Sequence, residues 1–92
     1  MELRHLRYFV GVAHHLNYSE ASRRLHVAQP AISQTILDLE EELGVKLLLR
    51  TKRTVQLTVA GSAFLHEAEQ ILAARSGQIY LKTNAVTRSS KG

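Results

Sequence analysis

Ninety-two residues, 45% hydrophobic but with two Phe and no Trp, suffice for one small domain whose core is built from Leu, Ile, Val and Ala. The absence of cysteine excludes disulfides, thiol chemistry and cysteine-ligated zinc. No apolar run approaches the ~20 residues of a membrane span, the opening MELRHLRYFV lacks the parts of a signal peptide, and the formal charge of +4 favours a polyanionic partner, so a cytoplasmic chain is expected.

The first element is a helix over about 2–15, because Leu3, Leu6, Tyr8, Phe9, Val12, Ala13 and Leu16 approximate one stripe at helical period. Asn17 offers an N-cap oxygen with Glu20 three residues later, a near relative of the capping box, and Ala21, Ser22 and Leu25 supply the buried face of a short second helix ending near His26. Val27 and Ala28 leave little room for a loop before Gln29 and Pro30, and proline in a first helical turn sacrifices no intrahelical bond. A third helix starts there. Ile32, Ile36, Leu39 and Leu43 form its core stripe, Gly44 stops it, and Ala31, Ser33, Gln34 and Thr35 are expected on outward-facing positions near its N-terminal end. Two helices separated by a tight break, the second opened by proline, are how a small domain places one helix in the major groove of DNA.

After Gly44 the period changes. The runs VKLLLR (45–50) and TVQLT (54–58), around the polar Thr51, Lys52 and Arg53, read as a two-stranded hairpin with a basic tip. Thr58 can cap a final helix whose stripe, Ala60, Phe64, Ala68, Ile71, Leu72 and Ile79, runs past the needs of one small domain and calls for a partner helix. Residues 87–92 (TRSSKG) are small and polar, as in a flexible tail or the start of a linker. Charge is segregated: Asp38, Glu40, Glu41 and Glu42 crowd the end of the third helix, whereas Lys46, Arg50, Lys52 and Arg53 follow it. Arg4, Arg7, Arg23 and Arg24 form a second basic group; brought beside the first it would attract phosphates, and otherwise both are solvated surface charge.

This succession resembles the N-terminal domain of the LysR-type transcriptional regulators. Its carriers are LRHLRYFVGVAHHLNYSEASRRLHVAQPAISQTI, LEEELGVKLLLRT and LTVAG, in the family's order and spacing and covering nearly the whole chain. The resemblance implies a mainly α fold: a winged helix-turn-helix of three helices plus a two-stranded wing (1–58), a linker and dimerisation helix (59–86), and a tail (87–92) leading to an effector domain outside this chain. It also implies promoter DNA as partner, a homodimer through the long helix, a tetramer in the full-length protein, and a small-molecule effector bound only in that further domain. The family more often has Ser, Arg and Gln where Ala28, Gln34 and Thr35 stand here.

The residues themselves suggest roles. Gln29 can present a donor and an acceptor to adenine, Pro30 and Ala31 can pack on a thymine methyl or sugar, and Gln34 can reach a base or the backbone. Ser33 and Arg23 suit phosphate contacts, and Arg50, Thr51, Lys52 and above all Arg53 suit a wing gripping the backbone beside a minor groove. The bland alternatives are an amphipathic helix with ordinary polar exposure and a solubilising turn.

The five histidines offer no metal-binding spacing: His14 and His15 diverge by roughly 100° on a helix, and His5, His26 and His66 stand alone. Ser19, Ser22 and Ser33 lack a glycine-bracketed elbow, so no catalytic residue and no cofactor are expected. Two other readings stay open. One is a winged-helix protein-interaction module without specific DNA binding. The other is a basic membrane-surface segment, against which the Ala- and Glu-rich last helix argues.

Overall fold

The computed structural model describes residues 1–76; Ile79, the expected end of the last helix near residue 86 and the tail 87–92 lie outside them. The chain runs α1 (Leu3–His15), α2 (Tyr18–Leu25), α3 (Gln29–Leu43), β1 (Leu48–Arg50), β2 (Val55–Leu57) and α4 (Val59–Ser76). The two strands pair antiparallel with Leu48 opposite Leu57, Leu49 opposite Gln56 and Arg50 opposite Val55. The result is a mainly helical winged helix-turn-helix with a long helix packed behind it. No helix among the described residues is long and apolar enough to cross a membrane.

α1 is the central element and packs against α2, α3 and α4. Leu6, Phe9, Val12 and Ala13 bury its inner face. Phe9 is wholly inaccessible and meets Phe64 of α4 at 5.4 Å between ring centroids, tilted by 59°. Burying one such ring contributes about 1.5–3 kcal/mol, and the tilted pair adds about 0.5–1.5 kcal/mol. Leu3 and Leu16, expected in the same stripe, are exposed. Leu16 has left the helical spiral as a left-handed C-cap with φ 49°.

The second helix begins as its sequence demands, with Asn17 Oδ1 accepting the Glu20 backbone N–H at 2.8 Å. Glu20 points its carboxylate at Arg23 and Arg24 instead of returning the capping bond. Tyr18, which the periodicity did not single out, is buried beside Ala21. The break before α3 is closed by Ser22: its carbonyl accepts the His26 and Val27 N–H groups, and its hydroxyl donates to the Val27 carbonyl at 2.5 Å. His26 takes the left-handed conformation (φ 58°), so this tight turn forms without glycine.

In α3 the expected stripe holds: Ile32, Ile36 and Leu39 are buried, with Leu43 at the margin. Gly44 ends the helix at φ 72°, a conformation open to glycine without steric cost. One expectation needs correction. Thr35 is buried rather than outward, because it lies three residues after Ile32 and four before Leu39 and shares their face. Among the acids that crowd the end of this helix, Glu40 is buried, and its Oε2 accepts the backbone N–H groups of Leu47 (2.8 Å) and Leu48 (3.2 Å). This carboxylate fastens the wing's first strand to α3.

The wing is tied to α4 as well. Thr58 Oγ1 accepts the Gly61 N–H at 2.8 Å, the expected cap, and donates to the Lys46 carbonyl at 2.6 Å. Gly61 is buried so close to β1's leading end that a Cβ there would fall 2.0 Å from the Leu47 carbonyl oxygen.

Candidate nucleic-acid interface

α3 starts without a side-chain cap, since Ala28 has no oxygen to offer and Pro30 no N–H to satisfy. Its N-terminus is therefore an open, partially positive helix end. Gln29, Pro30, Ala31 and Gln34 are exposed there, and Ser33 is half-buried. Gln29 Nε2 donates to Ser19 Oγ at 3.0 Å, which positions it across the turn against the start of α2. Gln34 Nε2 donates to Asp38 Oδ1 at 2.8 Å, one helical turn on.

The wing turn is preorganised by two threonines. Thr51 and Thr54 are bonded through their hydroxyls at 2.8 Å, Thr51 Oγ1 accepts the Thr54 N–H at 3.0 Å, and the Thr51 N–H donates to the Thr54 carbonyl at 2.9 Å. Thr51 is thus a structural pin of the tip. Lys52 and Arg53 stand exposed on it, and among the described residues neither has an acidic partner. Arg50 lies over the Tyr18 ring, its guanidinium carbon 4.4 Å from the ring centroid, so the planar cation is held against the body of the domain. Burial pushes the Tyr18 phenol above its ordinary 10.0, opposed by the Arg50 charge and reinforced by Glu40.

These pieces converge. Asn17, Ser19 and Gln29 share one shallow cleft of about 150 Å³ with Arg50, Thr51, Lys52 and Arg53, and no acidic side chain among the described residues lines it. The N-terminus of α3 and the basic wing tip therefore share one cleft whose charged lining is Arg50, Lys52 and Arg53, an arrangement suited to backbone recognition beside a groove. Arg4 and Arg7 are not among the residues that line it. The amino group of Met1 pairs with Glu42 at 3.0 Å, at the far end of α3, and Arg4 lies 3.8 Å from Glu2. Arg23 and Arg24 both pair with the one carboxylate of Glu20, so the cluster keeps a single net positive charge. Although desolvation works to raise it, hydrogen bonds and charge from these two arginines together hold the Glu20 carboxyl below its ordinary range.

On α4 the apolar stripe divides between two tasks. Ala68 is completely buried within this chain and Phe64 packs on Phe9, so Ala68 has no surface left for the dimer contact expected of it. Ile71 is 43% exposed, and Ala60 and Leu72 keep part of their surface. His14 of α1 is bonded to Glu69 of α4 at 2.6 Å, and the described residues contain no group of His, Asp and Glu placed to hold a metal ion. Periodicity overlooked Ser19, Tyr18, Asp38 and Glu40; only the Gln34–Asp38 spacing of one turn was a usable sequence signal.

Comparison with known proteins places this geometry. The family model for bacterial regulatory helix-turn-helix proteins of the lysR family matches residues 3–62. Over 72 residues the chain is 56% identical to the HTH-type transcriptional regulator AlsR of Bacillus subtilis (strain 168) and 57% identical to the Hca operon transcriptional activator HcaR of Escherichia coli (strain K12). In both cases the match covers 78% of this chain and 24% of the relative, so the chain spans about a quarter of their length. Among solved structures, a BenM_DBD/catB site 1 DNA complex superposes with a TM-score of 0.81 at 40% identity, covering 94% of this chain and 97% of the other. Full-length CbnR complexed with its target DNA gives 0.78 at 49% identity, covering 87% of this chain and 28% of that one.

Proposed function

Since the chain belongs to the lysR family of bacterial regulatory helix-turn-helix proteins, we propose that it binds double-stranded promoter DNA sequence-specifically as the DNA-binding part of a transcription regulator. The observation that carries this reading is the shared, acid-free cleft of Gln29 and the wing tip. A helix end with exposed amides, flanked by cations, combines base readout with phosphate positioning. The DNA complexes of BenM_DBD and CbnR support the same assignment.

In this reading residues 1–58 form the DNA-binding unit and the helix from residue 59 is the linker. The N-terminal turns of α3 enter the major groove, with Gln29, Pro30, Ala31 and Gln34 meeting base edges. Ser33, Arg53 and Lys52 contact phosphates, Arg50 lends its charge from the Tyr18 face, Thr51 holds the tip in shape, and Arg23 reaches the backbone only by loosening its bond to Glu20. Two copies pair through the surface of α4 around Ile71 and present their recognition helices to an interrupted palindrome. The role is binding rather than catalysis.

The test is selection from a randomised duplex library followed by titrations across salt concentration. One enriched motif and an affinity that falls steeply with salt are expected. A chain that enriches no duplex and whose affinity hardly responds to salt would instead be a protein-interaction module.

A further inference from the structure

We propose that Asp38 sets the hydrogen-bonding sense of Gln34, so that α3 presents a carbonyl acceptor at a fixed place in the groove; this rests on the reading that α3 enters DNA. Gln34 and Asp38 are both exposed on the outer side of α3, one turn apart, with Nε2 and Oδ1 separated by 2.8 Å. A glutamine amide can ordinarily turn over, exchanging its oxygen and nitrogen ends. Against an ionised carboxylate it cannot, because a carboxylate only accepts. The amine end must face Asp38. The carbonyl Oε1 is then the end of the amide turned away from Asp38.

Gln29, at the start of the same helix, offers the contrast. Its amine donates to Ser19 Oγ at 3.0 Å, but a hydroxyl both donates and accepts, so either orientation of the Gln29 amide can be bonded. One glutamine of the recognition helix is thus adaptable and the other committed. Asp38 brings a negative charge to a surface that meets phosphates and lowers affinity for every duplex alike. Paired with Gln34, it contributes discrimination instead.

The committed acceptor suits bases that present an amino group in the major groove, N6 of adenine or N4 of cytosine, and places oxygen against oxygen for O4 of thymine or O6 of guanine. The site read by Gln34 should therefore carry an amino base rather than a keto base on the contacted strand. Asp38 is a positioning residue in this scheme and need not touch DNA.

Library selection with the 92-residue chain tests this through three proteins: the unaltered chain, Gln34→Ala and Asp38→Asn. Gln34→Ala identifies the position by abolishing its preference. Asp38→Asn, whose side-chain amide both donates and accepts, lets Gln34 turn over; the amino-over-keto ratio at that position should fall about tenfold while the other positions keep theirs. The readout is that ratio, because loss of the Asp38 charge raises affinity for all sequences together. In the free protein, the Gln34 side-chain NH2 resonances should also move between the unaltered chain and Asp38→Asn. An unchanged amino preference in Asp38→Asn, or a motif indifferent to Gln34→Ala, overturns the inference while leaving DNA binding intact. Failure of the unaltered chain to enrich any motif overturns the DNA-binding reading, and this inference with it.

Discussion

The Glu40 carboxylate and the Leu47 backbone N–H meet at 2.8 Å in a buried site, and the same oxygen takes the next N–H, that of Leu48, at 3.2 Å. Two main-chain donors at the entry to the wing are satisfied by one side chain from α3. Removing it strands both, at about 1–3 kcal/mol for each buried group. Glu40→Ala should therefore destabilise the domain by about 3 kcal/mol in urea denaturation. Glu40→Gln, which keeps an acceptor, should cost about 1 kcal/mol, since among the described residues the cation paired with that charge is an exposed Lys46 at 3.8 Å. Equal losses for the two variants would show that charge, not the acceptor, holds the wing.

Gly61 is required by close approach rather than by backbone conformation. A methyl group there would lie 2.0 Å from the Leu47 carbonyl oxygen and 2.9 Å from its carbon. That oxygen also accepts the Thr58 N–H at 3.0 Å, so it cannot retreat without losing a bond. Gly61→Ala should cost at least about 2 kcal/mol. A denaturation midpoint unchanged from the parent would mean that α4 and β1 are not packed in this way.

Alkaline stability should depend on Tyr18. Burial first, with Glu40 adding to it and Arg50 opposing, raises the phenol above its ordinary 10.0. The fold therefore favours the neutral ring, and this contribution is complete below the ordinary value and lost as pH rises through the raised one. Tyr18→Phe should lose less stability than the parent as pH rises above 10.0, as read from denaturation midpoints. Parallel pH profiles would remove Tyr18 from the account.

Base readout and backbone grip should separate on DNA. Gln29→Ala is expected to relax preference at one base step by about 1–3 kcal/mol. Arg53→Ala should weaken all duplexes alike and flatten the salt slope by about one. If Gln29→Ala weakens specific and random DNA equally, it is not a base reader.

Pairing of two chains should fail when the exposed part of α4 is charged. Ile71 is 43% exposed, so Ile71→Glu leaves the core intact. Loss of one apolar anchor from each partner is expected to weaken association by at least about tenfold, as measured by sedimentation equilibrium. A dimer of undiminished affinity would move the interface off this face.

Local chemistry largely decided the elements of this protein. Asn17, Pro30, Gly44 and Thr58 mark helix boundaries because each resolves a problem confined to one turn: an orphan N–H, a missing donor or a left-handed stop. The spacing of Ile32, Ile36 and Leu39 likewise determined which side of α3 is buried, and the matched blocks carried the family. Partners distant in the chain or across a turn were decided only by packing. Phe64 and Ala68 belong to a helical stripe whichever body they cover, and only the docking of α4 on α1 assigned them to this chain's own core. Glu40 looked like one more acid in an acidic run until the wing's backbone arrived beneath it. Gln29 joined Ser19 and the wing tip by the same route: residues 51–54 are remote in sequence, and the fold alone brings them to one cleft. Periodicity reports which face is apolar; it carries no information on what that face, or a polar atom beside it, will meet.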